Sequence, residues 1–197
     1  MTESPGLGST KLFLGNKSLF LRKAQFDSEY LRHINQNVSL QPEIVTQNKM
    51  LLIGLRTCFY SVDSEKNNIA EKLPPLWHSF MSRINEIENI IAGMAYGIVQ
   101  QTQEKTDYLE YYAVVEVSKL GILPPNMVSI EIPAATYAKF THKGKVKNID
   151  NTVNYIYSSW LLQSGMRHSY GADIEFYGTD YHPESAESVM HYAIPVL

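Results

Sequence analysis

The feature that most constrains the fold of this chain is an order of predicted elements that occurs twice. The order strand, helix, strand, strand begins at residue 43 and returns from residue 127. An overlay of the two halves at an offset of about 79 to 80 residues pairs Ile53 with Ile132, Thr57 with Thr136, Tyr96 with Glu175, and Tyr112-Ala113-Val114 with Tyr192-Ala193-Ile194. Such self-similarity indicates an internal duplication. We therefore predict an α+β fold of two β-α-β-β halves, residues 43–120 and 127–197, with pseudo-twofold symmetry and a ligand cleft between them.

Hydrophobic spacing predicts one helix in each half. In the first half, apolar residues at steps of three and four predict a helix over residues 75–91, opened by Pro74-Pro75 because proline is tolerated in a first helical turn. In the second half the same spacing predicts a helix over residues 149–164, closed by Gly165. The strands are predicted at residues 43–60, 96–99, 108–117, 128–141, 173–177 and 189–196.

The first 41 residues differ in composition from the repeat. Gly6-Leu7-Gly8-Ser9 is typical of a flexible segment, and Phe26, Tyr30 and Ile34 predict one short helix after Asp27. We interpret residues 1–41 as a partly flexible arm or leader and residues 42–197 as a domain that stays folded without it. A partner-docking role for the arm is the alternative.

Charge and composition exclude several classes of function. The net charge is -3, and the first 40 residues are basic, which leaves an acidic remainder that is a poor candidate for direct nucleic-acid binding. No apolar run approaches the roughly 20 residues of a membrane helix, no secretory signal is present, and the single cysteine fits a reducing compartment. A cytoplasmic protein is expected. The six histidines lack ligand spacing and no glycine-rich phosphate loop is present, so neither a metal nor a cofactor is expected.

The main candidate for a functional residue is Glu175, within the predicted strand Asp173-Ile174-Glu175-Phe176-Tyr177. Because side chains alternate along a strand, Glu175 shares a face with Asp173 and Tyr177. A buried carboxylate needs a partner, which tyrosine hydroxyls supply in an empty pocket and a cation supplies in a filled one. The overlay predicts that Tyr96 faces Glu175 across the cleft. A solvated Glu175 stays open as the alternative, and Glu116 is a second candidate carboxylate.

Seven segments occur in an order that resembles the GyrI-like small-molecule-binding domain, over roughly residues 42–197. They are Leu76-Trp77-His78-Ser79-Phe80, Tyr96-Gly97-Ile98, Tyr111 to Val117, Ile132-Pro133-Ala134 leading to Phe140-Thr141-His142-Lys143-Gly144, Trp160-Leu161 with Ser164-Gly165, Asp173 to Tyr177, and Ile194-Pro195-Val196. This module occurs in AraC-type and MerR-type multidrug-responsive regulators and in stand-alone proteins, some of them carried on integron cassettes.

The resemblance implies an antiparallel sheet carrying two helices and a cleft that takes lipophilic cations. By this resemblance, the family's characteristic acidic residue corresponds to Glu175. The aromatic wall falls on Tyr96, Tyr112 and Tyr192, with Trp77 and Phe80 reaching in from the helix and Tyr177 on the strand of Glu175. The implied partners are a lipophilic cationic small molecule and a DNA-binding regulator protein.

Three functions fit these residues. The first is a cytoplasmic binding protein that senses or sequesters lipophilic cations as a stand-alone effector-binding module. The second is a hydrolase of electrophilic toxins, in which Glu175 and Tyr96 position and activate a water. The third is an inhibitor that acts through protein interaction. Binding is favoured over catalysis.

Overall fold

The computed structural model describes residues 27–102 and 108–197, together with the backbone of two short strands, β1 (Phe13–Leu14) and β2 (Lys17–Ser18), which pair with each other. The predicted flexible segment at residues 6–9 lies outside the described residues. Eight further strands form one antiparallel sheet that curls into a half-barrel. They are β3 (Glu43–Gln47), β4 (Met50–Tyr60), β5 (Ile90–Gln101), β6 (Tyr108–Val117), β7 (Val128–Ile132), β8 (Ala135–Lys143), β9 (Asp173–Tyr177) and β10 (Val189–Pro195).

The helices lie in three places along the chain. The first is α1 (Ser28–Asn37), and the second is α2 (Ile69–Arg83), which continues into a 3-10 turn (Ile84–Glu86). The third begins with a 3-10 turn (Val146–Asn148) and runs through α3 (Ile149–Tyr155), a π-helical segment (Ile156–Trp160) and α4 (Leu161–Gln163). Within the described residues, none of these helices combines the length and the apolar composition needed to cross a membrane.

The order of the strands has twofold symmetry. The sheet runs β3-β8-β10-β9-β5-β6-β4-β7, with β5 and β9 paired at its centre. Strand β3 precedes β4 in the chain but pairs with β8, and β7 precedes β8 but pairs with β4. The first strand of each half therefore pairs with a strand of the other half. The duplicated α+β fold predicted from the sequence is confirmed.

The two faces of the sheet carry separate clusters of buried side chains. On the helix-covered face, α2 packs over one half with Phe80, and the helix of the second half packs over the other with Val153 and Trp160. The opposite face carries a third cluster, which includes Tyr96, Tyr112 and Phe176. Since neighbouring residues of a strand point to opposite faces, the register of each strand decides which residues can meet at a site.

The helix predicted over residues 75–91 is wrong at both ends. It begins at Ile69, whose N–H donates to Asn67 Oδ1 at 3.1 Å, so Pro74 and Pro75 lie inside the helix rather than at its start. Both prolines are exposed, where carbonyls left without a helical N–H partner can be hydrated. The second predicted helix matches the observed residues 149–163, followed by Gly165 at a φ of 74°. The predicted strands 43–60 and 128–141 are each two strands.

Helix α1 follows Asp27 as predicted and packs on the second half. Asp27 caps it by accepting a hydrogen bond from the Tyr30 N–H at 2.8 Å, and Ile34 is buried. Just beyond the helix, the Ser39 hydroxyl accepts from the Thr141 N–H at 2.8 Å while the Ser39 N–H donates to the Thr141 carbonyl at 3.0 Å. The domain boundary at residue 41 stays a prediction, and these contacts favour a boundary nearer residue 27.

If α1 is part of the folded unit, Ile34→Ala should lower the free energy of unfolding by about 2–5 kcal/mol, because the side chain is only 6% exposed. Leu31→Ala on the same helix is the matched control, since Leu31 is 54% exposed and its loss should cost less than about 0.5 kcal/mol. Urea unfolding of both variants measures the difference. Equal stabilities would support the detachable arm.

A pair of histidines joins α1 to the domain. His142 on β8 is fully buried, and its Nδ1 lies 2.7 Å from the hydroxyl of Thr152 on α3. His33 on α1 reaches the same hydroxyl with its Nε2 at 3.3 Å, and the two rings lie 5.3 Å apart. Burial, with the nearby His33 as a smaller cause, lowers the pKa of His142 to about 4. Burial also lowers the pKa of His33.

The histidine pair predicts a loss of stability in acid. The unfolded chain binds a proton at His142 near pH 6.5 and the folded protein only near pH 4, so the stability present above pH 6.5 is lost as the pH falls through this window. We expect a decrease of about 2 kcal/mol in the free energy of unfolding between pH 7 and pH 5. Urea titrations at the two pH values measure it. An equal decrease in the His142→Gln variant would assign the effect to other groups.

Candidate functional site

The site is centred on Glu175, which lies on the helix-covered face of β9 and is 7% exposed. Its Oε2 accepts two hydrogen bonds, from the hydroxyl of Tyr111 at 2.5 Å and from the hydroxyl of Tyr177 at 2.8 Å. Tyr111 belongs to β6 and reaches across the intervening strand β5 at Gly97, the residue directly opposite Glu175. A side chain at Gly97 would collide with Glu175 Oε2 and the Tyr111 hydroxyl. The carboxylate therefore depends on a glycine at this position.

Helix α2 supports the two tyrosines through Trp77. The indole Nε1 of Trp77 donates to the Tyr111 hydroxyl at 3.0 Å, and its ring lies edge-on to Tyr177 with centroids 5.0 Å apart. Phe80, one turn further along α2, packs edge-on against Trp77. A chain of polar contacts thus runs from the helix through Tyr111 to the carboxylate.

The electrostatics of the site follow from its burial. Burial raises the pKa of Glu175, the Tyr111 and Tyr177 hydroxyls oppose this rise, and the negative charges of Asp150 and Asp173 add to it. Burial also raises the pKa of Tyr111 and Tyr177 well above the ordinary value, so both are protonated donors at neutral pH. Both hydroxyls donate to Oε2. Among the described residues, no group donates a hydrogen bond to Oε1.

A cavity of about 80 Å³ opens beside Glu175, between α2 and α3. Its described lining includes two carboxylates, Glu175 and Asp150, and no lysine, arginine or histidine. The remaining lining residues are apolar or hydroxyl-bearing, namely Phe59, Ser61, Val62, Ile69, Leu73, Val99, Leu109, Tyr111, Ile149, Val153 and Tyr192. Drug-sized pockets hold roughly 300–1,000 Å³, so this cavity has room for the head of such a ligand.

A second carboxylate, Asp173, lies two residues before Glu175 on the same face and is arranged in a similar way. Its Oδ2 accepts from the hydroxyls of Tyr157 at 2.6 Å and Tyr192 at 2.8 Å. Its Oδ1 lies 3.2 Å from His168 Nε2. The Tyr170 N–H donates to His168 Nδ1, so in the neutral ring the proton is on Nε2 and points to Asp173. Asp173 therefore has a donor at both oxygens.

The structure brings together five of the seven residues predicted for the site. Glu175, Tyr177, Trp77, Phe80 and Tyr192 all lie on or against the helix-covered face. Of these, Glu175 and Tyr192 line the cavity. Tyr177 donates a hydrogen bond to Glu175, and Trp77 donates one to Tyr111, without being among the lining residues.

The other two predicted residues, Tyr96 and Tyr112, lie on the opposite face. Tyr96 pairs with Phe176 across the β5·β9 ladder, with ring centroids 5.5 Å apart, and its hydroxyl donates to Glu116 at 3.4 Å. The prediction that Tyr96 faces Glu175 is therefore wrong, because Glu175 pairs with the next residue, Gly97. Tyr112 donates instead to Glu110 at 2.9 Å.

Sequence reasoning missed Tyr111, Gly97 and Asp150. Tyr111 and Tyr112 are adjacent, and the overlay matched Tyr192 to the one that points away from the helices. A signal was available in Gly97, because a glycine inside a strand marks a close approach of another group. Asp150 carried no sequence signal beyond its place in the first turn of α3. Within the described residues, no group of three histidine, cysteine or acidic side chains is arranged to hold a metal ion.

The chain belongs to the GyrI-like family: the model of the GyrI-like small-molecule-binding domain matches residues 40–197. One curated relative is the transcriptional regulator BrlR of Pseudomonas aeruginosa, which is 33% identical over 127 residues. The match covers 61% of this chain and 45% of BrlR, so the chain matches less than half of that regulator's length.

Solved structures share the fold at low sequence identity. An integron cassette protein of Vibrio cholerae aligns with a TM-score of 0.59 and 17% identity, over 82% of this chain and 97% of its own. SAV2435, solved with tetraphenylphosphonium bound, aligns with a TM-score of 0.63 and 13% identity, over 80% of this chain and 94% of its own. EcmrR, solved in a complex with DNA, aligns with a TM-score of 0.59 and 18% identity, over 85% of this chain and 62% of its own. The domain is thus related to effector-binding domains of regulators.

The contact at Gly97 makes a prediction about the integrity of the site. Gly97→Ala should lower the free energy of unfolding by about 1–3 kcal/mol, because the new methyl group must displace Glu175 or Tyr111. Gly178→Ala, just beyond β9, is the control, since a methyl group there meets only Met94 at ordinary distances. Urea unfolding compares the two. If Gly97→Ala is as stable as Gly178→Ala, the hydrogen bond from Tyr111 to Glu175 does not constrain the fold.

Proposed function

We propose that this protein binds lipophilic cationic small molecules in the cavity between α2 and α3, with Glu175 as the counter-charge. The observation that carries the proposal is a carboxylate that is nine-tenths buried and lines a cavity, yet has no positively charged partner among the described residues. Removing an ion from water costs several kcal/mol unless a partner compensates. Two tyrosine hydroxyls compensate in part, and a bound cation would complete the compensation.

The lining of the cavity supports the same class of ligand. Asp150 adds a second negative charge, and the rings of Phe59, Tyr111 and Tyr192 lie in a wall that is otherwise largely aliphatic. Aromatic rings attract cations through their π faces, and aliphatic walls favour apolar substituents. An anionic ligand would be repelled by the negative charge of Glu175, which lines the cavity.

The relatives support a role in sensing. BrlR is a transcriptional regulator, EcmrR was solved with DNA, and SAV2435 was solved with a lipophilic cation. We therefore propose that this domain acts in the cytoplasm as an effector-binding module, either passing the ligand signal to a DNA-binding regulator or sequestering the ligand.

A hydrolase that uses the same cavity is the second candidate. The sequence assigned Tyr96 as the partner of Glu175, but Tyr111 occupies that place, with a hydroxyl 2.5 Å from Oε2. This hydrogen bond to the carboxylate favours Tyr111 as the residue that would orient a water or substrate beside Glu175. Chemical change of a bound electrophile that depends on Glu175 would favour this candidate over binding alone.

The proposal predicts that Glu175→Gln weakens binding of a cation more than binding of a neutral ligand. Suitable probes are naphthylmethyl-dimethylammonium and its uncharged carbon isostere, measured by fluorescence or calorimetric titration. Losing one member of a buried charge pair costs about 2–5 kcal/mol, which is roughly thirtyfold or more in Kd, whereas the neutral probe should change little.

The matched control is Glu116→Gln, which makes the same change in the carboxylate beside Tyr96 on the opposite face. It should leave the affinity for both probes unchanged. A loss of cation affinity in Glu116→Gln, with none in Glu175→Gln, would move the site to the other face of the sheet.

A further inference from the structure

Glu175 and Asp173 differ in one respect, and this difference bears on the kind of cation that the cavity accepts. Each carboxylate uses one oxygen to accept two tyrosine hydroxyls. The second oxygen of Asp173 faces the Nε2 of His168, whereas the second oxygen of Glu175 has no donor among the described residues. Among the described residues, Asp173 thus has donors at both oxygens, whereas Glu175 has donors at Oε2 alone.

Oε1 of Glu175, the oxygen without a donor among the described residues, belongs to a side chain that lines the cavity. Glu175 is nine-tenths buried and is one of the lining residues, and its Oε2 is already engaged by Tyr111 and Tyr177. A ligand that approaches the carboxylate from the cavity therefore meets Oε1. A lone pair on a buried carboxylate oxygen is satisfied best by an N–H donor that carries positive charge.

We propose that the cavity selects cations that carry an N–H donor, such as protonated amines or amidinium groups, over quaternary cations of the same charge. The N–H group of the ligand takes the place at Glu175 Oε1 that His168 Nε2 takes at Asp173 Oδ1. This proposal rests on the proposed function and specifies the class of ligand.

The size of the cavity supports this preference. About 80 Å³ accommodates a small head group, and a cationic nitrogen with four carbon substituents cannot bring its charge within hydrogen-bond distance of Oε1. A quaternary cation must rely on its net charge and on contacts with rings such as those of Tyr111 and Tyr192. If those contacts dominated, a quaternary ligand would bind as well as a protonated amine.

A matched pair of ligands tests the proposal on the unaltered protein. Naphthylmethyl-dimethylammonium and naphthylmethyl-trimethylammonium differ by one methyl group in place of the N–H, and both carry one positive charge when the amine is protonated. Calorimetric titration should give a Kd about ten- to a hundredfold lower for the dimethyl compound, the range expected for a hydrogen bond to a charged group. In Glu175→Gln the two ligands should bind within a few-fold of each other.

The outcomes separate this proposal from the proposed function. Equal binding of the two cations by the unaltered protein, with both weakened in Glu175→Gln, overturns the N–H preference and leaves the cation site in place. A preference for the dimethyl compound that persists in Glu175→Gln overturns the assignment to Oε1. Binding of neither cation overturns the proposed function itself.

Discussion

The structure depends on one physical constraint, which is that a carboxylate withdrawn from water must be given hydrogen-bond donors. Glu175 lies at the centre of the sheet, and its donors come from β6 and from β9 itself. Tyr111 can reach it only because the strand between them has Gly97 at the crossing point. Trp77 on α2 then donates to Tyr111. The position of a helix, the identity of a glycine and the register of β5 with β9 are thus all tied to one side chain.

The duplication explains why two carboxylates lie on β9. The pseudo-twofold axis passes between β5 and β9, so β9 faces both helices and can offer a side chain to each half. Asp173 is enclosed by residues of the second half, Tyr157, Tyr192 and His168, and has donors at both oxygens. Glu175 accepts a hydrogen bond from Tyr111 of the first half and is one of the residues that line the cavity. Among the described residues, Asp173 therefore has donors at both oxygens, whereas Glu175 has donors at one oxygen only.

The sequence predicts the elements of this fold better than their contacts. Hydrophobic spacing is a local property, and it located the strand Asp173–Tyr177 and the helix over residues 149–163 closely. The register between strands is a non-local property, and a shift of one residue exchanges the faces. For this reason the overlay predicted Tyr96 and Tyr112 where the structure has Gly97 and Tyr111. Pro74 likewise predicts the wrong helix start, because the helix begins at Ile69, whose N–H donates to the side chain of Asn67.

The face on which Glu175 lies could be predicted because side chains alternate along a single strand, and this alternation requires no knowledge of any partner strand. Ile174 and Phe176 fix the opposite face, so Glu175 must share its own face with Asp173 and Tyr177 whichever strands lie beside it. Tyr177 was in reach of the prediction for the same reason, and its hydroxyl does donate to Glu175. Asp150 could not be predicted, because its place beside Glu175 in the cavity lining depends on how α3 crosses the sheet. Residues on the same element as the buried charge are therefore predictable, and the walls that other elements contribute require the three-dimensional structure.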